Sequence, residues 1–439
     1  MKHVTRMIRL LHYRIHTTCI RSILIHSRHN ATAAYIRTTP YSDKYYQPII
    51  AEGADGFDKL VIPIDFCADN QNLVEYEDQE KLEGIVKSFH APMETAIGYG
   101  SGVLPQDGYP VDAGTATDTD TSNDTATAID TATAIDTAST TASTTAAMGT
   151  SKSDADPKQL DFIFVVKNSA SFHKENLLQN ANHYSSKSLM WINYIQGKGI
   201  YFNPYASINN HLTKYGIIER KSAMMDLSEW SSLYFAGRLQ KPVNFVKDDD
   251  IMLKFLNQYN LKNAMTIAIF LIESNSFTER QLYEQITNLS YLGDFRMYIG
   301  GENPHKVKNI VSKQFHHFKK LYDPILQYFI HRNYLVITDN DETNRTFKTN
   351  LNPSSKIKLI SCLPLKFRTQ LYSRYPESSI KDIVKDRELA NNLRKLIAKT
   401  IAYSSLVQAV KGVFTAGVMK SAKYALAKRK KSASVLVAK

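Results

Sequence analysis

Seven consecutive residues, Leu160-Asp-Phe-Ile-Phe-Val-Val166, are apolar except for one acid, a length and density that predict a buried strand. Before it, Lys59 to Asp65 reads as a strand approach, Gln79 to Ser88 as a helix, and Thr95 to Tyr99 as the lead into a glycine turn. After it the pattern predicts a helix through Glu175 to Gln179 and a strand from Gly199 to Asn203 closed by Pro204. A second strand from Lys214 to Ile218 and a helix from about Leu227 to Leu239, ended by Pro242, follow. Beyond Asp248 the helical period takes over, at 250–272, 278–289, 304–330 and 386–400, with Thr278 placed as an N-cap and one strand at Tyr334 to Thr338. The chain therefore reads as α+β: a mixed strand and helix half over 43–247, a mostly helical, winged-helix-like part over 248–385, and a helical, basic C-terminal segment over 386–439.

In that last segment Leu406, Val410, Val413, Phe414 and Gly417 share one helical face, with Lys411, Lys420, Lys423 and the run Lys428-Arg-Lys-Lys431 beside it. An apolar stripe with a cationic fringe suits a helix lying in the plane of an anionic membrane. The longest apolar run, Ala264 to Ile272, is far short of the roughly 20 residues needed to cross a bilayer.

From Asp112 to Asp156 the pattern vanishes into Thr, Ala, Asp and Ser, with Thr-Ala-Thr-Ala-Ile-Asp repeated at 125–130 and 131–136. Such a tract has almost nothing to bury and reads as a disordered insertion, whose removal leaves a short connection from Gly102 to Asp161.

Charge sharpens the picture at the ends. The chain of 439 residues carries a formal +12, yet residues 1–42 hold seven basic and no acidic residues, and 411–439 hold eight basic and no acidic ones. These fifteen cations account for more than the whole excess, and the body between them stands at −3. A near-neutral body argues against a nucleic-acid surface, so no nucleic acid is expected as a partner. The acid-free, arginine-bearing first 42 residues have the composition of a mitochondrial presequence. Cys19, Cys67 and Cys362 are too scattered for a zinc site or a disulfide framework.

The candidate chemistry sits between the glycine turn and the buried strand. Within Ile97-Gly-Tyr-Gly-Ser-Gly-Val-Leu-Pro-Gln106, the segment Tyr99, Gly100, Ser101 and Gly102 lets backbone amides approach phosphates closely, because glycine has no Cβ. It is neither a P-loop nor a dinucleotide fingerprint, since no Gly-Lys-Ser/Thr follows and the glycine spacing differs. Asp161, between Leu160 and Phe162, must be paired or metal-bound to be tolerated in such a strand, and an acid there suits Mg²⁺. Turn and acid together point to nucleotidyl transfer.

A series of ordered motifs then carries a resemblance. Ile97-Gly-Tyr-Gly-Ser-Gly-Val103, Asp161 to Val166, His173 with Asn176, His183-Tyr-Ser185, Ile200-Tyr-Phe-Asn-Pro-Tyr205, Lys214-Tyr-Gly216, Ala236 to Val243 and Leu289 to Met297 occur in that order, followed by Gln408, Lys411-Gly412, Thr415 to Gly417 and Lys420-Ser421. This chain resembles the mitochondrial phosphatidate cytidylyltransferases of the translocator assembly and maintenance family. The resemblance implies a polymerase-β-like nucleotidyltransferase domain, a winged-helix-like domain and a C-terminal membrane-associating segment. It implies conversion of CTP and phosphatidic acid to CDP-diacylglycerol and pyrophosphate with Mg²⁺, peripheral to the matrix face of the inner membrane, for cardiolipin synthesis.

On that reading Asp161 binds Mg²⁺, Tyr99 to Gly102 cradle phosphates, and Lys214, Arg238 and Lys241 clamp charge. The wider superfamily carries two acids two residues apart, whereas the position two after Asp161 is Ile163. A second ligand is therefore sought in Asp226, then Glu219, then Asp294, and Lys167-Asn168 stands where relatives have acids. His173 and His183 read first as core histidines, with His183, Tyr184 and Ser185 as candidates for the base or ribose. Asp294 and Arg296 also suit the pinning of a turn. Two rival functions use the same residues: a mitochondrial RNA or tRNA nucleotidyltransferase, and a non-enzymatic peripheral factor that supports protein import.

Overall fold

The structure is a computed structural model that describes residues 70–71, 79–104, 159–294, 297 and 305–416. The expected presequence, the strand expected at 59–65, the 112–156 tract, Arg296 and the cationic run after residue 416 lie outside the described residues.

In chain order the first part comprises α1 (Gln79–Lys87), β1 (Thr95–Tyr99), β2 (Leu160–Val166), α2 (Ser169–Gln179), α3 (Leu189–Gln196), β3 (Tyr201–Ile208) and β4 (His211–Glu219). It continues through α4 (Arg220–Glu229), α5 (Ala236–Leu239) and β5 (Asn244–Asp248). These strands form one five-stranded mixed sheet in the order β3-β4-β2-β1-β5, with β2 and β4 parallel and the other pairs antiparallel. As the sequence predicts, β2 is interior, and its alternation decides where everything else goes. Leu160, Phe162, Phe164 and Val166 point to one face and Asp161, Ile163 and Val165 to the other.

On the first face α1, α2 and α3 bury Ile85, Phe89, Phe172 and Ile192 against Phe164 and Tyr215. On the second face, Ile97, Ile163 and Val165 meet Leu227 of α4 and Leu253 and Leu256 of α6 (Ile251–Leu271). This second core runs without a break through the remaining elements. They are β6 (Ser276–Thr278), α7 (Glu279–Leu289), α8 (Lys306–Lys313), α9 (Phe315–His331), β7 (Leu335–Asp339), β8 (Thr346–Thr349), α10 (Pro353–Ser361), α11 (Leu365–Tyr372), α12 (Ile380–Ile383) and α13 (Leu389–Ala416). The three short strands form an antiparallel sheet in the order β6-β8-β7. Thr278 caps α7 as expected, its hydroxyl taking the Gln281 amide while Gln281 answers the Thr278 amide.

Three predicted boundaries are corrected. Strand β3 does not stop at Pro204 but runs on to Ile208. It is an edge strand, and its register on β4 slips between Asn203 and Ala206, so the missing proline N–H costs no ladder bond. The helix expected over 227–239 is instead α4, a loop and α5, because the chain leaves the helix at Trp230, which has φ 52°. The helix expected over 304–330 is broken at Gln314, where ψ reaches 20°, into α8 and α9.

Candidate active site

Strand β1 ends at Tyr99 and the chain turns at once. Gly100 adopts φ 82°, in the left-handed region, and its carbonyl accepts from the amides of Val103 at 3.1 Å and Leu104 at 2.8 Å. The turn is pressed onto the start of β2: a Cβ on Gly102 would stand 2.2 Å from the Gln159 carbonyl oxygen, and one on Gly100 would stand 3.0 Å from Asp161 Oδ2. Glycine is therefore needed at both positions for the turn to reach the acid.

The sheet register then brings the chemistry together. Tyr99 pairs with Asp161 across β1 and β2, and Asp161 pairs with Lys214 across β2 and β4, so three neighbouring strands present these side chains on one face. Lys214 Nζ donates to Asp161 Oδ1 at 3.1 Å and sits 4.9 Å from the centre of the Phe202 ring. That ring lies where Gly216 lacks a Cβ. Burial is the largest single influence and opposes the Lys214 charge, but Asp161, Tyr99 and Tyr234 together outweigh it and hold the ammonium above the ordinary lysine range.

From the α4–α5 side two more cations arrive. The Arg238 guanidinium lies 4.4 Å from the centre of the Tyr99 ring and 5.1 Å from that of Tyr234, and its Nη2 donates to the Tyr234 hydroxyl at 3.2 Å. Among the described residues, the buried Arg238 Nε and Tyr99 hydroxyl have no hydrogen-bond partner. Lys241 Nζ donates to the Gly237 carbonyl and to Ser290 Oγ, both at 2.6 Å. Burial, with Arg238 and Lys306 nearby, pushes its pKa well below the ordinary lysine value. Lys214 and Arg238 thus lie near one carboxylate, Lys241 lies beside Arg238, and a donor of Arg238 is left over. Such an excess is relieved by a bound polyanion, whose charge would also raise the Lys241 pKa.

The remaining expected acids serve other tasks. Both oxygens of Asp226, expected as a metal ligand, are engaged: Oδ1 accepts from the amides of Ser232 and Leu233 and from the hydroxyls of Ser231 and Ser232, and Oδ2 from the amides of Phe235 and Ala236. This carboxylate folds the loop that carries Arg238, and the same bonds end α4 early. Glu219 accepts from the amide and hydroxyl of Ser169 at the start of α2. Asp294 is buried in the turn after α7. Asn168 caps α2.

Among the described residues no group of three or more His, Cys, Asp or Glu side chains converges as a metal site. What the chain offers is a single carboxylate, with one oxygen on Lys214 and the other against the Gly100 turn. That donor set fits Mg²⁺ in the form in which it accompanies a triphosphate, held by one protein carboxylate with phosphate and water oxygens.

The histidine motif lies elsewhere. Tyr215 points away from the face that Lys214 occupies, and His183 Nδ1 shares a hydrogen with its hydroxyl at 2.9 Å. Asn176 donates to both Tyr184 and Tyr215, and His173 bridges Tyr184 and Gln196. His183 and Tyr184, expected near the base or ribose, therefore belong to a buried network on the opposite side of the sheet from Asp161. Ser185 instead donates to the Phe414 carbonyl of α13 at 2.8 Å.

Burial lowers the His173 pKa from 6.5 to about 4, against a smaller opposing effect of the bond to Gln196. Between those values the unfolded chain takes up a proton that the folded chain refuses. Stability from this group is therefore complete above pH 6.5 and is lost as pH falls toward 4, by about 3 kcal/mol. Denaturant unfolding as a function of pH checks this: His173→Gln is expected to flatten the profile in that window, and an unchanged slope contradicts it.

With this geometry in place, comparison with known proteins is decisive. A family model described as phosphatidate cytidylyltransferase, mitochondrial, matches residues 82–431. The chain belongs to this family. Proteins named mitochondrial phosphatidate cytidylyltransferase in Schizosaccharomyces pombe and Saccharomyces cerevisiae are 33% and 34% identical to it, over 82% and 84% of this chain and 88% and 75% of their own. The one from Dictyostelium discoideum is 32% identical over 83% of this chain and 87% of its own.

In this member of the mitochondrial phosphatidate cytidylyltransferase family, sequence reasoning missed Phe202, Tyr234 and Ser290, each in contact with a predicted cation. Tyr234 carried a usable signal, standing four residues before Arg238. Phe202 and Ser290 lay inside quoted motifs and became visible only as neighbours in space.

Proposed function

We propose that this chain transfers the cytidylyl group of CTP to phosphatidic acid, giving CDP-diacylglycerol and pyrophosphate. Membership of a family named for that activity supports it, and the observation that carries it to these residues is the surplus of buried positive charge facing the glycine turn. A phosphate oxygen of phosphatidic acid attacks the α-phosphorus of CTP, and the bond to the β-phosphate oxygen breaks with its electron pair leaving on pyrophosphate. A phosphomonoester with a second pKa near ~6 is already anionic, so no side chain has to accept a proton. This agrees with the absence of a histidine from the described cluster.

The chain's work is positioning and neutralisation. The turn at Gly100 to Gly102 brings backbone amides toward phosphate oxygens; Arg238 and Lys241 receive the charge that grows on the leaving pyrophosphate; Lys214 fixes the orientation of Asp161. Asp161 would hold Mg²⁺, which would supply the remaining neutralisation of the triphosphate.

The mixed sheet with a glycine turn leading to an acid-bearing strand supports a polymerase-β-like nucleotidyltransferase arrangement, and the β6-β8-β7 sheet with α7 to α9 supports a winged-helix-like second part. A peripheral position on the matrix face of the inner membrane is supported by the acid-free basic N-terminus and by the mitochondrial names of the relatives. No described helix is long and apolar enough to cross a membrane. Exposed Leu406, Val410, Val413 and Phe414 on α13 support contact of the C-terminal segment with anionic lipid, and the product would feed cardiolipin synthesis.

Product analysis tests the proposal. With CTP labelled at the α-phosphate, the label is expected in chloroform-soluble CDP-diacylglycerol only when phosphatidic acid is present. Label in RNA and none in lipid would favour the RNA nucleotidyltransferase instead.

A further inference from the structure

We propose that α3 is a second membrane-inserting element that enters an anionic bilayer beside α13; this rests on the reading that the C-terminal segment contacts anionic lipid. Helix α3 turns Ile192, Ile195 and Gln196 inward, yet its outer face is apolar: Met190 is 82% exposed, Tyr194 78% and Trp191 39%. Trp191 and Tyr194 stack with their ring centres 5.7 Å apart. Apolar residues clustered this way in water mark a contact surface, and Trp and Tyr are the side chains that favour a membrane interface.

Three contacts fasten this face to the apolar stripe of α13. The Trp191 ring meets the Phe414 ring edge-on at 5.9 Å, the Ser185 hydroxyl holds the Phe414 carbonyl, and Lys411 Nζ donates to the Gln196 carbonyl at 2.8 Å, where a cation complements the end of α3. Leu406, Val410, Val413 and Phe414 recur at helical spacing and are all exposed. Two apolar faces more than two hundred residues apart in sequence thus meet at Phe414.

Charge selects the occupant. Residues 185–200 carry Lys187 and Lys198 and no acid, and α13 carries Arg394, Lys395, Lys399 and Lys411 and no acid. Arg394 pairs with Glu273, but Lys187, Lys198 and Lys411, on the segments that meet at Phe414, are balanced by no acid of those segments and match anionic lipid, whereas a second copy placed face to face would oppose cation to cation.

The chain's two tryptophans make the test direct, because Trp230 is buried at 2% exposure and donates to Asn260 Oδ1, which leaves Trp191 as the reporter. The full chain is mixed with phosphatidylcholine vesicles containing phosphatidylglycerol, an anionic lipid that is not the proposed substrate. Trp191 emission is expected to shift to the blue with these vesicles and not with phosphatidylcholine alone, and the shift is expected to vanish in Trp191→Phe. Met190→Ser combined with Tyr194→Ser is expected to weaken vesicle partition by about tenfold or more, with unchanged thermal unfolding and unchanged turnover in detergent micelles.

Co-sedimentation with vesicles while Trp191 emission stays put would overturn the role of α3 and leave the C-terminal reading standing. Failure to sediment at all would overturn both, with cytidylyl transfer in micelles still separately measurable. A blue-shifted Trp191 in the lipid-free protein that reverts on dilution would show a second copy on this face and overturn the proposal.

Discussion

Replacing Asp161 by asparagine is expected to cut CDP-diacylglycerol formation by about a thousandfold, equivalent to roughly 4 kcal/mol of transition-state stabilisation, while CTP binding holds or tightens. The two effects part because the carboxylate has two roles. Asparagine keeps the shape of the side chain and an oxygen for Lys214, but it removes the negative charge that Lys214 and Arg238 share. The surplus positive charge rises, which favours a triphosphate. The group that places the divalent cation is lost, which penalises transfer. Without the carboxylate, burial is opposed only in part, by Tyr99 and Tyr234, and the Lys214 pKa falls. Steady-state kinetics with a separate CTP-binding measurement check this, with thermal unfolding as the control for folding. Parallel loss of binding and turnover would mean that Asp161 only maintains the structure.

Arg238→Met is expected to lower kcat/KM by roughly a hundredfold or more, equivalent to about 3 kcal/mol. The guanidinium lies against the Tyr99 and Tyr234 rings, and among the described residues its buried Nε has no partner, a donor that a phosphate oxygen would satisfy. Methionine preserves most of the packing and removes the fork. Arg238→Lys is expected to rescue little, because an ammonium neither stacks between two rings nor donates in a planar pair. A second readout separates this role from a structural one. Arg238 is among the causes that depress the Lys241 pKa, so its removal should let Lys241 keep its proton to higher pH. The residual activity of Arg238→Met should therefore persist further into the alkaline range than that of the parent. An unshifted profile, or full rescue by lysine, would contradict this account.

How much of this was written in the chain varies with the range of the interaction. Strand β2 was legible to the residue, because seven apolar positions around one acid have few other solutions. The glycine turn and Asp161 were legible as a pair, since only the 112–156 tract separates them. The Asp161–Lys214 ion pair was not, because it depends on the parallel register of β2 on β4, across 53 residues. The end of α4 was hidden for another reason: Asp226 gathers amides from the next turn of chain, and this competition between side chain and helix leaves the apolar spacing untouched. Expecting a metal ligand at Asp226 and a base contact at His183 had one origin. Chemically able residues were counted without knowing what already occupied them: loop amides in the case of Asp226, and a network on the far face of the sheet in the case of His183.

The outer face of α3 was obscure in the opposite sense. Met190, Trp191 and Tyr194 have the composition of a core, and only the fold shows that the core lies on the other side.

The central claim is that the turn at Gly100 to Gly102, Asp161, Arg238 and Lys241 form one triphosphate site. A crystal of the protein grown with CTP and Mn²⁺ tests it most directly. The account predicts manganese density on Asp161 Oδ2, with the phosphates against the Gly100 turn and Arg238 Nε. A nucleotide bound elsewhere, with no metal beside Asp161, would contradict the account.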